Sequence, residues 1–319
     1  MRAMSLALVL IAVVSAQPAV AKRSGATGKR PNASPAGVDA SGNALRRVPH
    51  GSFLMGASMG EPYRHEKESQ HWVTLTHDFL VQTTEVTQYQ WEVQMGNNPS
   101  RFEGDKNRPV EKVSWYDAVT YANALSVADG LPKAYDLSSC SGAPGMGNID
   151  FAHIYDCFDK VTLTASTPYA TIGWRLPTEA EWEYAYRAGS STPWFFGSDR
   201  NLLEAYAWVA SNADKTTHPV GEKKPNAWGL YDMAGNVYEW CWDNYGPYPD
   251  VVNDPVGSGW IDNTMLGPMR YRVMRGGSYA SSAVDGSIAE VFCRAARRDM
   301  TDAGLCTSSI GFRLVRTVR

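Results

Sequence analysis

The sequence predicts an irregular α+β fold with few helices, short strands and much loop. Three observations carry that expectation. Helical spacing of apolar residues is sustained only in a few short stretches, the longest over 115–125. Elsewhere apolar residues come in short pieces cut by Gly, Pro, Asn and Ser. No internal repeat and no long low-complexity tract follows residue 47. At 319 residues, 44% apolar and 11% aromatic, the chain suffices for one large domain or two small ones. A net charge of −3 and a pI near 6.1 favour neither nucleic acid nor an anionic membrane surface.

Residues 1–21 read as a secretory signal. Arg2 precedes an apolar run over 6–14, and Ala19-Val20-Ala21 is a small-x-small cleavage site. The run is too short to span a bilayer, so the mature protein is expected to be secreted or periplasmic and not membrane-embedded. Residues 22–47 are small and polar and read as a disordered linker, with order expected from about Val48 through a domain over 48–319. Strand pieces follow around Gly51-Ser-Phe-Leu-Met-Gly56, over 72–75 and over 79–81. A helix after Thr87 is expected to turn Tyr89, Val93 and Met95 inward and to end at Asn97-Asn98-Pro99. Ser114 with Asp117 caps a second helix whose apolar face is Trp115, Ala118, Val119, Ala122 and Leu125, stopped by Gly130. Residues 136–170 read as a loop-rich insertion. Thr178 and Glu181 form a capping box opening a third helix, with Trp182 and Ala185 inward and Gly189 ending it.

The chemistry concentrates in Trp228-Gly-Leu-Tyr-Asp-Met-Ala-Gly-Asn-Val-Tyr-Glu-Trp-Cys-Trp242. Alternation of Val237, Glu239 and Cys241 against Tyr238, Trp240 and Trp242 predicts a strand with one aromatic face. Gly235-Asn236 signals a turn. Carbonyls left unpaired at that corner, together with Glu239, suit a hard cation such as Ca²⁺. Equally, Glu239 suits hydrogen bonds from backbone N–H or an Arg inside an aromatic core. His65, His71 and His77, six apart, match neither a helical pair nor one strand face and read as surface histidines. The five cysteines, Cys140, Cys157, Cys241, Cys293 and Cys306, suggest the pairs Cys140–Cys157 and Cys293–Cys306 in an oxidising compartment, though spacing fixes no connectivity. A reactive thiol is the other reading of any one of them. Arg294, Arg297 and Arg298 either bind anions or pair with carboxylates of the scaffold, the commoner use.

In order along the chain, these pieces resemble the formylglycine-generating enzyme family, the sulfatase-modifying factor domain. The residues that carry it are Gly51-Ser-Phe-Leu-Met-Gly56, Thr84-Glu-Val-Thr87, Val113-Ser-Trp-Tyr-Asp-Ala118, Arg175-Leu-Pro-Thr-Glu-Ala-Glu-Trp-Glu-Tyr-Ala185, the 226–240 stretch, Arg275-Gly-Gly-Ser-Tyr279, Arg294-Ala-Ala-Arg297 and Ile310-Gly-Phe-Arg313. The resemblance implies a C-type-lectin-like fold with short twisted strands. It also implies calcium. One site falls on Gly235 and Val237 as carbonyl donors and Glu239 as carboxylate, with Asn236 adjacent. Another begins at Asn212 and Ala213, before a loop that is short in this chain. The family's oxidase chemistry, which converts a protein cysteine to formylglycine, uses a copper-binding cysteine pair just after the Gly-Gly-Ser-aromatic motif. The matching positions here hold Ser281 and Gly286, and neither supplies the soft thiolate Cu(I) needs.

Copper is therefore not expected, and a calcium-stabilised binding or non-oxidase domain is. Its ligand would be a protein, peptide or small molecule held by Tyr279, Arg294, Arg297 and Arg313, unless those arginines only lock the fold. One alternative is an enzyme forming formylglycine or making a related oxidative modification through displaced cysteines. Another is a hypervariable C-type-lectin-like binding protein, whose variable segment would lie between the frames Arg275-Gly-Gly-Ser278 and Ile310-Gly-Phe-Arg313.

Overall fold

The structure, a computed structural model, describes residues 32–140, 161–257, 271–281 and 289–319. It opens with strands β1 (Ser34–Val38), β2 (Ala44–Val48), β3 (Gly51–Met55), β4 (His71–Leu75) and β5 (Phe79–Gln82). Helices α1 (Gln88–Met95) and α2 (Trp115–Ala128), the two-residue strands β6 (Tyr135–Asp136) and β7 (Thr162–Leu163), and helix α3 (Glu179–Arg187) follow. Strands β8 (Tyr238–Asn244) and β9 (Tyr271–Arg275), a single turn α4 (Ala289–Phe292), and strands β10 (Asp299–Asp302), β11 (Ile310–Gly311) and β12 (Val315–Thr317) complete the order. This is the irregular, C-type-lectin-like α+β class expected.

The strands form two four-stranded sheets, β1-β2-β5-β12 and β10-β9-β8-β11. In the first, the closing strand β12 pairs antiparallel with β5, so early and late parts of the chain share one sheet. In the second, β8 pairs antiparallel with β9 and parallel with β11. The linker expected through residue 47 is corrected here: from Ser34 the chain is a paired hairpin, and β2 sets Val48 opposite Phe79. Asp39 fixes its turn by accepting from Ser41 N at 2.9 Å and Asn43 N at 3.0 Å. Leu45 and Val48 are buried, a short apolar signal that the polar neighbours mask. Residues 1–31, with the signal segment, lie outside the described residues, as do 141–160 of the insertion, whose base is closed by β6 pairing with β7.

All three predicted helices form, each opened by its side chain cap. Thr87 accepts from Gln90 N, Ser114 from Asp117 N and Thr178 from Glu181 N, and each has a reciprocal capping box. The predicted face of α2 is buried throughout. The face of α1 is corrected: Tyr89 and Val93 are exposed, and Trp91 turns inward to stack on Tyr121 at 5.5 Å. Helix α3 ends at Ala188, itself left-handed at φ +45°, one residue before Gly189. Strand β8 divides two apolar clusters. Trp240, with Tyr238 and Trp242, packs into one, and Cys241 into the other. The aromatic face is as predicted, but the opposite face is buried too, with Glu239 and Asp243 on it. No helix among the described residues is long and apolar enough to cross a membrane.

Candidate functional site

The Gly235-Asn236 corner leads directly into β8. Both residues are left-handed, at φ +78° and +56°. A Cβ at position 235 would lie 2.2 Å from the Trp208 carbonyl oxygen, so the approach requires glycine. Asn236 is bonded all round: its N–H donates to Trp208 O (2.8 Å), its carbonyl accepts from Tyr279 N (2.8 Å) and its side-chain oxygen from His218 N (3.0 Å).

Glu239 sits 1% exposed with both carboxylate oxygens engaged. Arg313 Nη2 donates to Oε1 at 2.7 Å, Arg313 Nε reaches Oε2 at 2.8 Å, and Trp182 Nε1 donates to Oε2 at 2.8 Å. Of the two readings of this carboxylate, the arginine inside an aromatic core is the one the geometry contains. Two further carboxylates, Glu85 and Asp232, are buried nearby. Asp232 Oδ2 accepts from Gly221 N at 2.6 Å, and Asn236 Nδ2 reaches Glu85 Oε2 at 3.4 Å. Their other oxygens, Glu85 Oε1 and Asp232 Oδ1, are buried with no hydrogen-bond partner. Burial pushes the Asp232 carboxyl up to about 6 and that of Glu85 well above its ordinary value. Glu239 adds to both effects, Asp232 adds to that on Glu85, and Arg313 opposes them.

Orphaned carboxylate oxygens in a dry site need a proton or a hard cation. Asp232 and Glu85 are oxygen donors and fit Ca²⁺ in kind, with the corner carbonyls of Gly235 and Val237 the further donors that the resemblance implies. Sequence reasoning missed Asp232 and Glu85, although both stand inside motifs it quoted. Among the described residues no group of three His, Cys, Asp or Glu side chains is poised for a metal, so such a site depends on carbonyls.

The other expected calcium locus does not fit. Asn212 Oδ1 accepts from Val209 N (2.8 Å) and its amide donates to Ala207 O (3.0 Å). The Ala213 carbonyl accepts from Thr216 N (3.0 Å) and from His218 Nε2 (3.0 Å). An imidazole N–H therefore stands at the carbonyl a cation would need. His218 in turn stacks on Trp208 at 3.7 Å, with Lys223 Nζ 3.7 Å from the Trp208 ring centroid.

At the copper positions, Ser281 is buried and its hydroxyl accepts from Ser278 N at 2.9 Å; Gly286 lies outside the described residues. The expected Cys293–Cys306 disulfide is corrected, since Cys293 carries a free, buried thiol. Cys293 is wholly buried, its sulfur 2.9 Å from where a Cβ on Gly277 would stand, and burial pushes its thiol up to about 12. Cys241, which the two expected pairs leave over, is free and buried, and Cys157 lies outside the described residues. These residues do not offer copper a thiolate pair.

Two of the predicted ligand contacts are also corrected. Arg294 is buried between Glu61 (2.7 Å) and Glu68 (2.9 Å), and Arg313 is committed to Glu239. Neither can reach a ligand without breaking a buried ion pair. Tyr279 is 7% exposed, its hydroxyl 3.0 Å from Ser308 Oγ. Arg297 pairs with Asp299 at 2.6 Å and is the partly exposed member, lining a cleft of about 270 Å³ with His65, Lys67, Tyr245 and Met300.

Fold and site together define a C-type-lectin-like scaffold knotted by buried arginine–carboxylate pairs around a glycine corner. The profile of the sulfatase-modifying factor enzyme 1-like domain matches residues 31–318, and the chain belongs to that family. It is 36% identical over 220 residues to the chaperone protein LppX of Paenibacillus barcinonensis, covering 62% of this chain and 75% of that one. It is 27% identical over 337 residues to the formylglycine-generating enzyme of Streptomyces coelicolor, covering 95% and 96%. Among solved structures, Treponema denticola variable protein 1 superposes with a TM-score of 0.67 at 33% identity, covering 86% of this chain and 95% of that one.

Proposed function

We propose that this protein is an exported, calcium-stabilised binding domain on the sulfatase-modifying-factor scaffold, without the copper-dependent oxidation of cysteine. The observation that carries this reading is the absence of thiols where the resemblance puts the copper pair. Cu(I) is held by soft thiolates, and Ser281 offers a hydroxyl already bonded to the backbone. Cys293 lies outside those positions, buried and protonated at neutral pH. Calcium belongs to the same reading, held by Asp232, Glu85 and the carbonyls of Gly235 and Val237, where its charge would cross-link the corner to the Glu85 segment. Export belongs to the same proposal, since an oxidising compartment is where the expected Cys140–Cys157 pair would form.

The deciding experiment offers the purified chain Cu(I) and a sulfatase-type cysteine peptide under oxygen. We expect no stoichiometric copper and no aldehyde mass on the peptide; either one overturns the reading. A second reading, a binding protein with a variable segment between residues 279 and 309, is favoured by the 33% identity to a protein named as variable. A template copy of that segment beside the gene would establish it, and its absence from the surrounding DNA would remove it.

A further inference from the structure

Glu111 is a buried carboxylate away from the glycine corner. Where the carboxylates of α3 meet arginines, this one meets a backbone amide: Oε1 accepts from Phe102 N at 2.8 Å. Its Oε2 is shielded from solvent and has no hydrogen-bond partner. The same two segments are joined again by Glu111 N donating to Ser100 Oγ at 3.3 Å, and Ser100 N donates to Asn98 Oδ1 at 3.1 Å. From α1, Gln88 Nε2 donates to Phe102 O at 3.0 Å. Segment 98–102 thus lies across Glu111, with Arg101 exposed on its outer side. Phe102 meets the Tyr279 ring edge to face, with centroids 5.3 Å apart at 89°.

An ionised Glu111 buries a charge with one oxygen unpaired, whereas a neutral carboxyl leaves one O–H unpaired, a smaller cost. Burial accordingly pushes this carboxyl up to about 7. The amides of Phe102 and Arg101 pull it down, as do Lys112 and Arg101, the charged side chains that act on it. If segment 98–102 lifts, water reaches the carboxylate and that cost is relieved.

We propose that Glu111 latches segment 98–102, holding Phe102 against Tyr279 in acid solution and releasing it toward neutral pH. The lifted carboxyl titrates near its ordinary 4.5 and the latched one near 7. Between those values the closed form keeps a proton that the open form has lost. Each pH unit in that window raises the open population about tenfold, and above it the population levels off. Release uncovers the ring of Tyr279, one of the ligand contacts expected from the sequence. What the opening admits rests on the binding-domain reading; the latch itself does not. Exchange measured without ligand reads the latch alone, so the two fail separately.

The test is amide hydrogen exchange of the intact chain from pH 5 to 8.5, corrected for the intrinsic rate and read by nuclear magnetic resonance. Phe102 N–H should lose protection about tenfold per pH unit from 5 to 7 and then hold level. It should exchange faster than Val315 N–H, which donates to Arg175 O at 2.8 Å, because the opening is local. In Glu111→Gln, which keeps the shape and the acceptor but cannot ionise, Phe102 should stay protected at its acid level throughout. The proposal is overturned if Phe102 protection in the wild type is level across this range. The same slope in Glu111→Gln overturns it too, as does Phe102 exchanging in step with Val315, since the opening would then be global. Should the variant fail to fold, Phe102 against Val315 in the wild type decides.

Discussion

Glu239 and Arg313 illustrate why single residues matter here more than their motifs suggest. Both are about 1% exposed, and their ion pair shares its carboxylate with Trp182. Breaking a buried pair leaves a charge without solvent or partner, so Arg313→Met should cost about 3–5 kcal/mol, read as a fall in the urea midpoint. A loss no larger than that of a surface arginine would mean that the pair contributes little. The carboxylates beside it give a pH dependence. Asp232 is raised to about 6 from 3.8, and Asp243 and Glu111 to about 7, in each case chiefly by burial. Each keeps its proton in the folded chain after the unfolded chain has lost it. That stabilisation is full below about pH 4 and is lost as pH rises through 6 to 7. In chelator, the melting temperature should therefore fall across that window. Glu183 works in the opposite sense: Arg187 and Arg275 hold it below 4.5 despite its burial, so its contribution is lost only in more acid solution. A melting temperature that climbs from pH 4 to 7 in chelator would contradict the assignment of Asp232.

Among the elements, α3 departs furthest from an ordinary surface helix. Every one of its residues is buried, including Glu179, Glu181 and Glu183. Arg298 pairs with Glu179, Arg175 with Glu181 at 2.6 Å, and Arg275 and Arg187 with Glu183 at 2.6 and 2.7 Å. The helix is a rack of carboxylates onto which distant segments are tied by arginine. Thr178 holds its first turn: it accepts from Glu181 N at 3.2 Å and lies 2.9 Å from the Tyr169 hydroxyl. Thr178→Ala should therefore cost about 1–2 kcal/mol, at the upper end for a cap, while Thr178→Ser should restore most of it. Equal losses in the two variants would put the effect on packing of the methyl group instead. The capping boxes, the β8 alternation and the glycine corner were legible because each is a local rule acting over a few residues. The direction of α1 was not, because Tyr89 and Val93 match the apolar pattern as well as Trp91, and only the position of Tyr121 decides between them. The carboxylates Asp232 and Glu85 escaped for the same reason: 147 positions of chain separate 85 from 232, and only the fold makes them neighbours.

For the whole molecule, the question is what holds a fold in which, among the described residues, the longest strand has seven residues and helices are few. Hydrogen-bonded ladders this short give little cooperativity, so loops must be fixed by side chains. Buried arginines join residue 294 to 61 and 68, 313 to 239, and 298 to 179, each spanning far-apart sequence. A calcium ion at the Glu85–Asp232 pair would be one more tie of this kind, and the only one that can be withdrawn without mutation. Because the Asn212 locus is closed by its own hydrogen bonds and by His218, uptake should be one equivalent and not two. Free calcium at about 100 times its dissociation constant adds about 2.7 kcal/mol to the folded state. Chelation should therefore lower the melting temperature by several degrees at pH 7.5. The effect should fade toward pH 5, where protons compete for the same two carboxylates. Asp232→Asn should bind calcium more weakly yet, with no charge left to bury, melt higher than the wild type when both are in chelator. Isothermal titration with the wild type and this variant reads the stoichiometry, and parallel melts read the stability. Two equivalents of calcium, or a melt indifferent to chelator at pH 7.5, would remove the ion from this account and leave the arginines alone to hold the loops.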